Sequence, residues 1–338
     1  MKTIFAVPDK DSIDKAGEII RNGGLVAIPT ETVYGLAANA LDPAAVKKIY
    51  AAKRRPSDNP LIVHISDMEQ WGPLVEGIPD EALTLAKKFW PGPLTIILEK
   101  SEAIPGITSG GLDTVAVRMP ANEVARAVIK SAGVPLAAPS ANASGRPSPT
   151  KASYVLEDMD GRIDMIIDGG SCEIGVESTV ITLAGGVPRI LRPGGVTPEM
   201  LADALGSVEI DDAVLHELQK GEIAASPGMK YKHYAPKADV TLVKGDFNRF
   251  FSVLKEHENV HPTALCFDED VAGLAGFSAL SFGSESDSLS QAQGLFDALR
   301  RLDKLGAKTV YARYPSTEGI GLAVFNRMIR SAAFKVIE

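Results

Sequence analysis

Short apolar runs, each closed off by Pro, Gly or Ser, recur along the first two thirds of this 338-residue chain, and helical patterns separate several of them. That alternation restricts the fold to the α/β class. The runs are "LVAIP", "PLIVHIS", "PLTIILEK", "TVAVRMP", "PLAAPS", "DMIIDGG" and "STVITL", and they read as strands. "DSIDKAGEIIRNGG" reads as a helix capped by Asp11 or Ser12 and stopped by Gly23 and Gly24. "DPAAVKKIYAAKR" takes Asp42 as cap and Pro43 at its first position. "DEALTLAKKFW" and "NEVARAVIKSAG" are further helices. The expected architecture is an N-terminal twisted mixed sheet with helices, followed by a smaller Rossmann-like α/β domain.

The pattern decays around Gly206, and "GEIAASPGMKYKHYAPKAD" (221–239) has neither helical nor strand period. A second alternation begins at Val240: "VTLVKG", a helix over 247–257, "TALCF", "SALSFG", a helix near 289–304, "KTVYARYP" and a last helix to Phe334. It lacks a G-x-G-x-x-G opening, so no dinucleotide is expected there. The expected division is residues 1–206 as catalytic domain, 207–238 as linker and 239–338 as second domain. "SPGMKYKHYAP" packs two tyrosines, a histidine and two lysines together, unlike a passive tether, and is expected to form a lid over the site.

Cys172 and Cys266 have no metal-like spacing and fit a reduced cytoplasmic protein. No signal peptide and no membrane-length apolar run is read, so no membrane contact is expected. A net charge of −8 argues against constitutive nucleic-acid coating while leaving room for a local basic cleft. "HENVH" (257–261) matches the zinc-protease pattern, but Pro262 pushes His261 out of helical geometry, so no metal site is expected.

Against that acidic background "KRRPSDNP" (53–60) sets Lys53, Arg54 and Arg55 beside a turn. Solvated cations at a helix end are the ordinary explanation. Three neighbours point to a ligand instead. "PTETVYGLAANA" reads as a hydroxyl-rich loop past a strand end; His64 lies in an apolar strand; Arg118 ends another, where an arginine is costly to bury without an anion. "PSANASGRPSPT", "GVESTVITL" and "RILRPGG" add hydroxyls, backbone N–H groups and Arg192. Converging cations of this kind suit a polyphosphate or carboxylate.

In order, "PTETVYGLAANA", "KRRPSDNPL", "WPGPLTIIL", "VAVRMP", "APSANASGRPSPT", "GVESTVI" and "ILRPGG" resemble the threonylcarbamoyl-AMP synthase family, whose fold is YrdC-like. "SPGMKYKHYAP" and the second α/β unit resemble its long, two-domain form. The resemblance implies a nucleotidyltransferase that joins L-threonine, bicarbonate or CO2 and ATP into L-threonylcarbamoyladenylate. Other proteins then pass the threonylcarbamoyl group to tRNA. It places the family signature on Lys53, Arg55, Ser140 and Asn142 as catalytic residues. It gives L-threonine to Thr32, His64, Arg118, the Ala138 backbone and Ser178, and ATP to Arg55, Asn59, Thr114, Ser140, Ser148, Arg192 and Tyr231.

Mg2+ is expected to accompany ATP without a dedicated protein site. Expected partners are the three substrates, the downstream transfer proteins and weakly bound RNA. The other readings are an RNA-binding module with a locally basic face, and a carbamoyl-adenylate former like a hydrogenase-maturation domain. The second would need cysteine-rich zinc segments, and only two cysteines are present.

Overall fold

The computed structural model describes residues 2–216 and 234–338. The first domain contributes β1 (Ile4–Ala6), β2 (Val26–Ile28), β3 (Gly35–Asn39), β4 (Ile62–His64), β5 (Leu94–Glu99), β6 (Thr114–Arg118), β7 (Leu136–Ala137), β8 (Met165–Ile167), β9 (Thr179–Thr182), β10 (Arg189–Arg192) and β11 (Glu209–Ile210). Its helices are α1 (Lys10–Arg21), α2 (Pro43–Lys53), α3 (Asp80–Phe89), α4 (Glu123–Ala132), α5 (Ala152–Met159) and α6 (Pro198–Leu205). The strands form one mixed sheet in the order β1-β8-β2-β3-β7-β4-β6-β5-β9-β10-β11.

Apolar residues cover both sheet faces. On one face α1 and α4 cross so closely that a Cβ at Gly17 would meet the Ser131 carbonyl carbon at 2.7 Å. The other face holds the larger core, with Trp71 and Trp90 ring centroids 4.6 Å apart. Asp42 caps α2 and Pro43 opens it, as the sequence indicates. For α1 the cap is Asp9 rather than Asp11 or Ser12. Asp9 accepts from the Ser12 N–H at 2.8 Å while the Ser12 hydroxyl faces the Asp9 N–H at 3.0 Å, a reciprocal box that starts the helix earlier.

The second domain comprises β12 (Asp239–Val243), β13 (Thr263–Cys266), β14 (Ser278–Ser281), β15 (Thr309–Arg313) and β16 (Val336–Ile337), with α7 (Phe247–Glu256), α8 (Ser288–Leu305) and α9 (Gly321–Ser331). Its sheet is wholly parallel, in the order β14-β13-β15-β12-β16. The last helix ends at Ser331, short of Phe334, because Ala333 and Phe334 turn to positive φ and lead into β16. α7 ends at Glu256 and His261 has φ 48°, so His257 and His261 are not one turn apart on a helix.

"GLAAN", expected as loop, is strand β3 and pairs with β2 and β7. Residues 209–210, inside the stretch expected as linker, extend the first sheet beside β10. No helix among the described residues is long and apolar enough to cross a membrane.

Candidate active site

The strand ends and loops of the first domain converge on one cleft. His64 and Arg118 are register partners at the C-terminal ends of parallel β4 and β6, so their side chains stand together on one sheet face. β2 runs into the 29–34 turn, which Thr30 ties down by donating to the Val33 carbonyl at 2.6 Å. The following loop, 139–145, is laced to its neighbours by backbone bonds. Leu36 N–H donates to Pro139 O at 2.7 Å, Ala141 N–H to Tyr34 O at 2.8 Å, and Ser144 N–H to Lys53 O at 2.9 Å.

Most of the expected residues line this cleft: Thr32, Lys53, Arg55, His64, Arg118, Ala138, Ser140, Asn142, Ser178 and Arg192. The three adjacent cations, however, divide. Arg54 takes the left-handed cap conformation and is exposed. Lys53 is buried and donates to the carbonyls of Ser140 and of Asn142, the latter at 2.7 Å. Burial, with Arg55 nearby, pushes its ammonium well below the usual lysine range. Lys53 is thus a pin that shapes the 139–145 loop. Among the described residues Arg55 makes only long contacts, 3.5 Å to Asn59 O and 3.4 Å to Pro60 O, and its Nε is buried with no partner. Asn59 itself is buried outside the lining, its Oδ1 also unpartnered. Buried polar groups left in that state call for a ligand or water.

Arg118 differs from expectation. The anion that accompanies it is the protein's own: Glu31 Oε1 lies 2.7 Å from Nη2, and both side chains are 4 % exposed. Arg118 also donates from Nη1 to Thr32 Oγ1 at 3.0 Å and from Nε to Gly92 O at 3.3 Å. An arginine at a buried strand end needs an anion, but the sequence does not say whose. Beside it, the His64 Nδ1 faces the Ile62 carbonyl at 3.2 Å. A carbonyl only accepts, so Nδ1 carries the proton and Nε2 is bare. Burial, then the Arg118 charge, lowers the imidazole to about 3, which keeps it neutral near pH 7.

Arg192 donates from Nε to Ser178 O at 3.1 Å and from Nη2 to Ser178 Oγ at 3.2 Å; burial lowers it to about 10. Ser178 and Thr95 share a bond of 2.8 Å. Ser148 is fully buried behind the cleft, its hydroxyl donating to Glu177. Thr114 does not line the cleft. It shares the β6 face of Arg118, four residues or roughly 13 Å along the strand. Tyr231 lies outside the described residues. Tyr234, three positions on, does line the cleft, and Ala235 N–H donates to Gly145 O at 3.1 Å.

Glu31, Glu177 and Tyr234 were not singled out from sequence. Glu31 lies in "PTETVYGLAANA" and Glu177 in "GVESTVITL", and only three-dimensional pairing with arginines reveals them. Among the described residues no cluster of three His, Cys, Asp or Glu side chains could hold a metal ion.

Comparison with known proteins gives this geometry a family. A model described as "Telomere recombination" matches residues 18–194, and one described as "Threonylcarbamoyl-AMP synthase, C-terminal domain" matches 196–333. The chain is 47% identical to the threonylcarbamoyl-AMP synthase of Pyrococcus abyssi, over 96% of this chain and 94% of that protein. It is 45% identical to that of Bacillus subtilis, with the same coverage of 96% and 94%. A crystal structure of P. abyssi Sua5 complexed with L-threonine superposes with a TM-score of 0.91 at 44% identity, covering 100% of this chain and 99% of that one. The chain belongs to the threonylcarbamoyl-AMP synthase family, in its two-domain form.

Proposed function

We propose that the cleft joins L-threonine, bicarbonate or CO2 and ATP into L-threonylcarbamoyladenylate and releases pyrophosphate, the first step of threonylcarbamoyladenosine formation in tRNA. The observation that carries this reading is the set of polar groups gathered in one cleft: Arg118, Thr32 and the acceptor nitrogen of His64 as one set, and Arg55 and Arg192 with the hydroxylated 139–145 loop as another. The first set suits a small amino acid, the second a polyphosphate.

In the reaction the threonine amine forms a C–N bond to CO2 and gives up a proton. A carbamate oxygen then attacks the α-phosphorus, and the bond to the β-phosphate oxygen breaks to release pyrophosphate. Arg55 and Arg192 are the cations we assign to the phosphates, where charge moves onto the leaving oxygens. Lys53 acts through the loop it pins, fixing Ser140 and Asn142. Arg118 meets the threonine carboxylate beside Glu31. His64, lowered to about 3, is too weak a base to hold the amine proton near neutrality, so it serves as a hydrogen-bond acceptor for the substrate. ATP enters as its Mg2+ complex, the ion held by phosphate oxygens and water; the cleft carboxylates Glu31 and Glu177 are already engaged by arginines.

Two free cysteines fit a reducing cytoplasm, where tRNA-modifying proteins would take the product. The RNA-binding alternative is weakened by burial: Arg118 and Arg192 are 4% and 6% exposed, out of reach of a polymer backbone.

Pyrophosphate release from ATP, measured with each amino acid and with or without bicarbonate, tests the reaction. Turnover is expected to require both L-threonine and bicarbonate, with L-serine poorer by roughly 10–200-fold for want of one methyl group. Equal turnover with glycine, or indifference to bicarbonate, would overturn it.

A further inference from the structure

α9 is buried along its length, and the guanidinium of Arg327 within it reaches into the first domain. Nε lies 2.9 Å from Glu177 Oε2, Nη2 donates to the Glu177 carbonyl at 3.2 Å, and Nη1 donates to the Pro193 carbonyl at 2.6 Å. The other Glu177 oxygen takes the Ser148 hydroxyl. Glu177 precedes Ser178, and Pro193 follows Arg192, so one side chain grips the chain next to both cleft residues. Ser178 and Arg192 are in turn bonded to each other. Gly194 closes the arrangement: a Cβ there would meet the Glu177 carbonyl oxygen at 2.6 Å, a separation only glycine allows.

A buried ion pair is a poor way to stabilise a fold, because apolar residues of the same volume do as well or better. Three directed bonds to the backbone and side chain beside a cleft do something apolar packing cannot, which is to fix angles. We propose that Arg327 is a positioning residue of the adenylate-forming site, acting through Glu177 and Pro193 to fix Ser178 and Arg192, so that the second domain completes a cleft built mainly by the first. This rests on the function proposed above.

The pair also gives a titration signature. Glu177 faces Arg327 from α9, Arg192 from β10, Lys53 from α2 and the Ser148 hydroxyl, and Tyr234 stacks its ring 5.8 Å from the Arg327 guanidinium carbon. Against burial, which raises it, Arg327 first and Arg192 next hold the Glu177 carboxyl below its ordinary value. Without Arg327 the burial cost dominates, and Glu177 takes up a proton at less acidic pH.

The test compares wild type, Arg327→Met, Glu177→Gln and the double variant by steady-state kinetics, pH profile and thermal melting, all in the full chain. Wild-type turnover that lacks the threonine and bicarbonate requirement would remove the functional reading itself, whatever Arg327 does. Given that requirement, Arg327→Met is expected to raise KM for ATP and L-threonine roughly ten- to a hundredfold and to move the acid limb of kcat/KM toward neutrality. The double variant, with no carboxylate to titrate, is expected to lose that moved limb. A lower active fraction or melting temperature with unchanged KM and unchanged pH profile would mean Arg327 only holds the domains together. Should Arg327→Met not fold, Glu177→Gln carries the decision: a raised KM for both substrates supports positioning, and wild-type KM overturns it.

Discussion

The two domains treat their arginines differently. Arg55 in the first domain is half-buried and borders the cleft with only long carbonyl contacts among the described residues. Arg300 and Arg327 in the second are 1% and 0% exposed, and each is held at short range by a first-domain carboxylate, Asp158 or Glu177. A guanidinium with poor protein partners in a cleft is poised for a ligand; one with a dedicated carboxylate organises protein. Arg118 stands between these cases, with Glu31 on one nitrogen and a cleft-lining threonine on another. The lesson is that burial alone does not identify a functional arginine; the partner does.

The largest effect is expected at Arg300. It donates to Asp158 from both terminal nitrogens, at 3.3 and 2.9 Å, and to the Pro147 carbonyl at 2.6 Å. Arg300→Met leaves the buried Asp158 carboxylate with only Arg146 and the Ala143 N–H among the described residues, and should cost about 3 kcal/mol in urea unfolding. An unchanged midpoint would show that the second domain does not brace the first here. Arg55→Ala should do the converse, lowering kcat by roughly 10²–10³-fold while unfolding shifts by less than about 0.5 kcal/mol. A large stability loss with intact kcat would reverse the assignment.

Packing away from the cleft should touch only stability. Gly17→Ala drives a Cβ into the backbone of α4 and should cost about 1–3 kcal/mol, with both KM values unchanged. A shifted KM would mean that the α1–α4 face communicates with the site.

The smallest effect concerns His64. Its folded value of about 3 lies below the ordinary 6.5, so between those limits the unfolded chain binds a proton that the folded chain refuses. The His64 contribution to stability is therefore complete above about pH 6.5 and is lost as pH drops, by at most about 1.4 kcal/mol per unit. Glu31 and Glu177, held below their ordinary 4.5, add acid losses only beneath that value. Unfolding at pH 6.5 and 5 spans the range in which the imidazole contributes, and His64→Asn should flatten the difference. If wild type and variant respond alike, His64 titrates normally.

What was legible in the sequence follows from what is local. Strands buried on both faces show as apolar runs, and Asp42-Pro43 announces its own helix. Cleft residues cluster at the ends of elements and in the loops beyond them, so Thr32, Lys53, His64 and Ser140 could be found there. Other features needed the fold. "GLAAN" has the small residues of a loop and becomes β3 by pairing with β2 and β7. β1, β11 and β16 are two or three residues long and are strands only because a neighbour accepts them. Glu177 and Arg327 lie 150 residues apart, so neither carries a local mark of the other.

The adenylate itself tests the account most directly. With 13C-bicarbonate, L-threonine and ATP, mass spectrometry of the quenched reaction should find an adenylate that contains threonine and one labelled carbon, with no such species when threonine is omitted. A threonine adenylate without the label, or AMP and pyrophosphate formed with no carbamoylated product at any time, would contradict it.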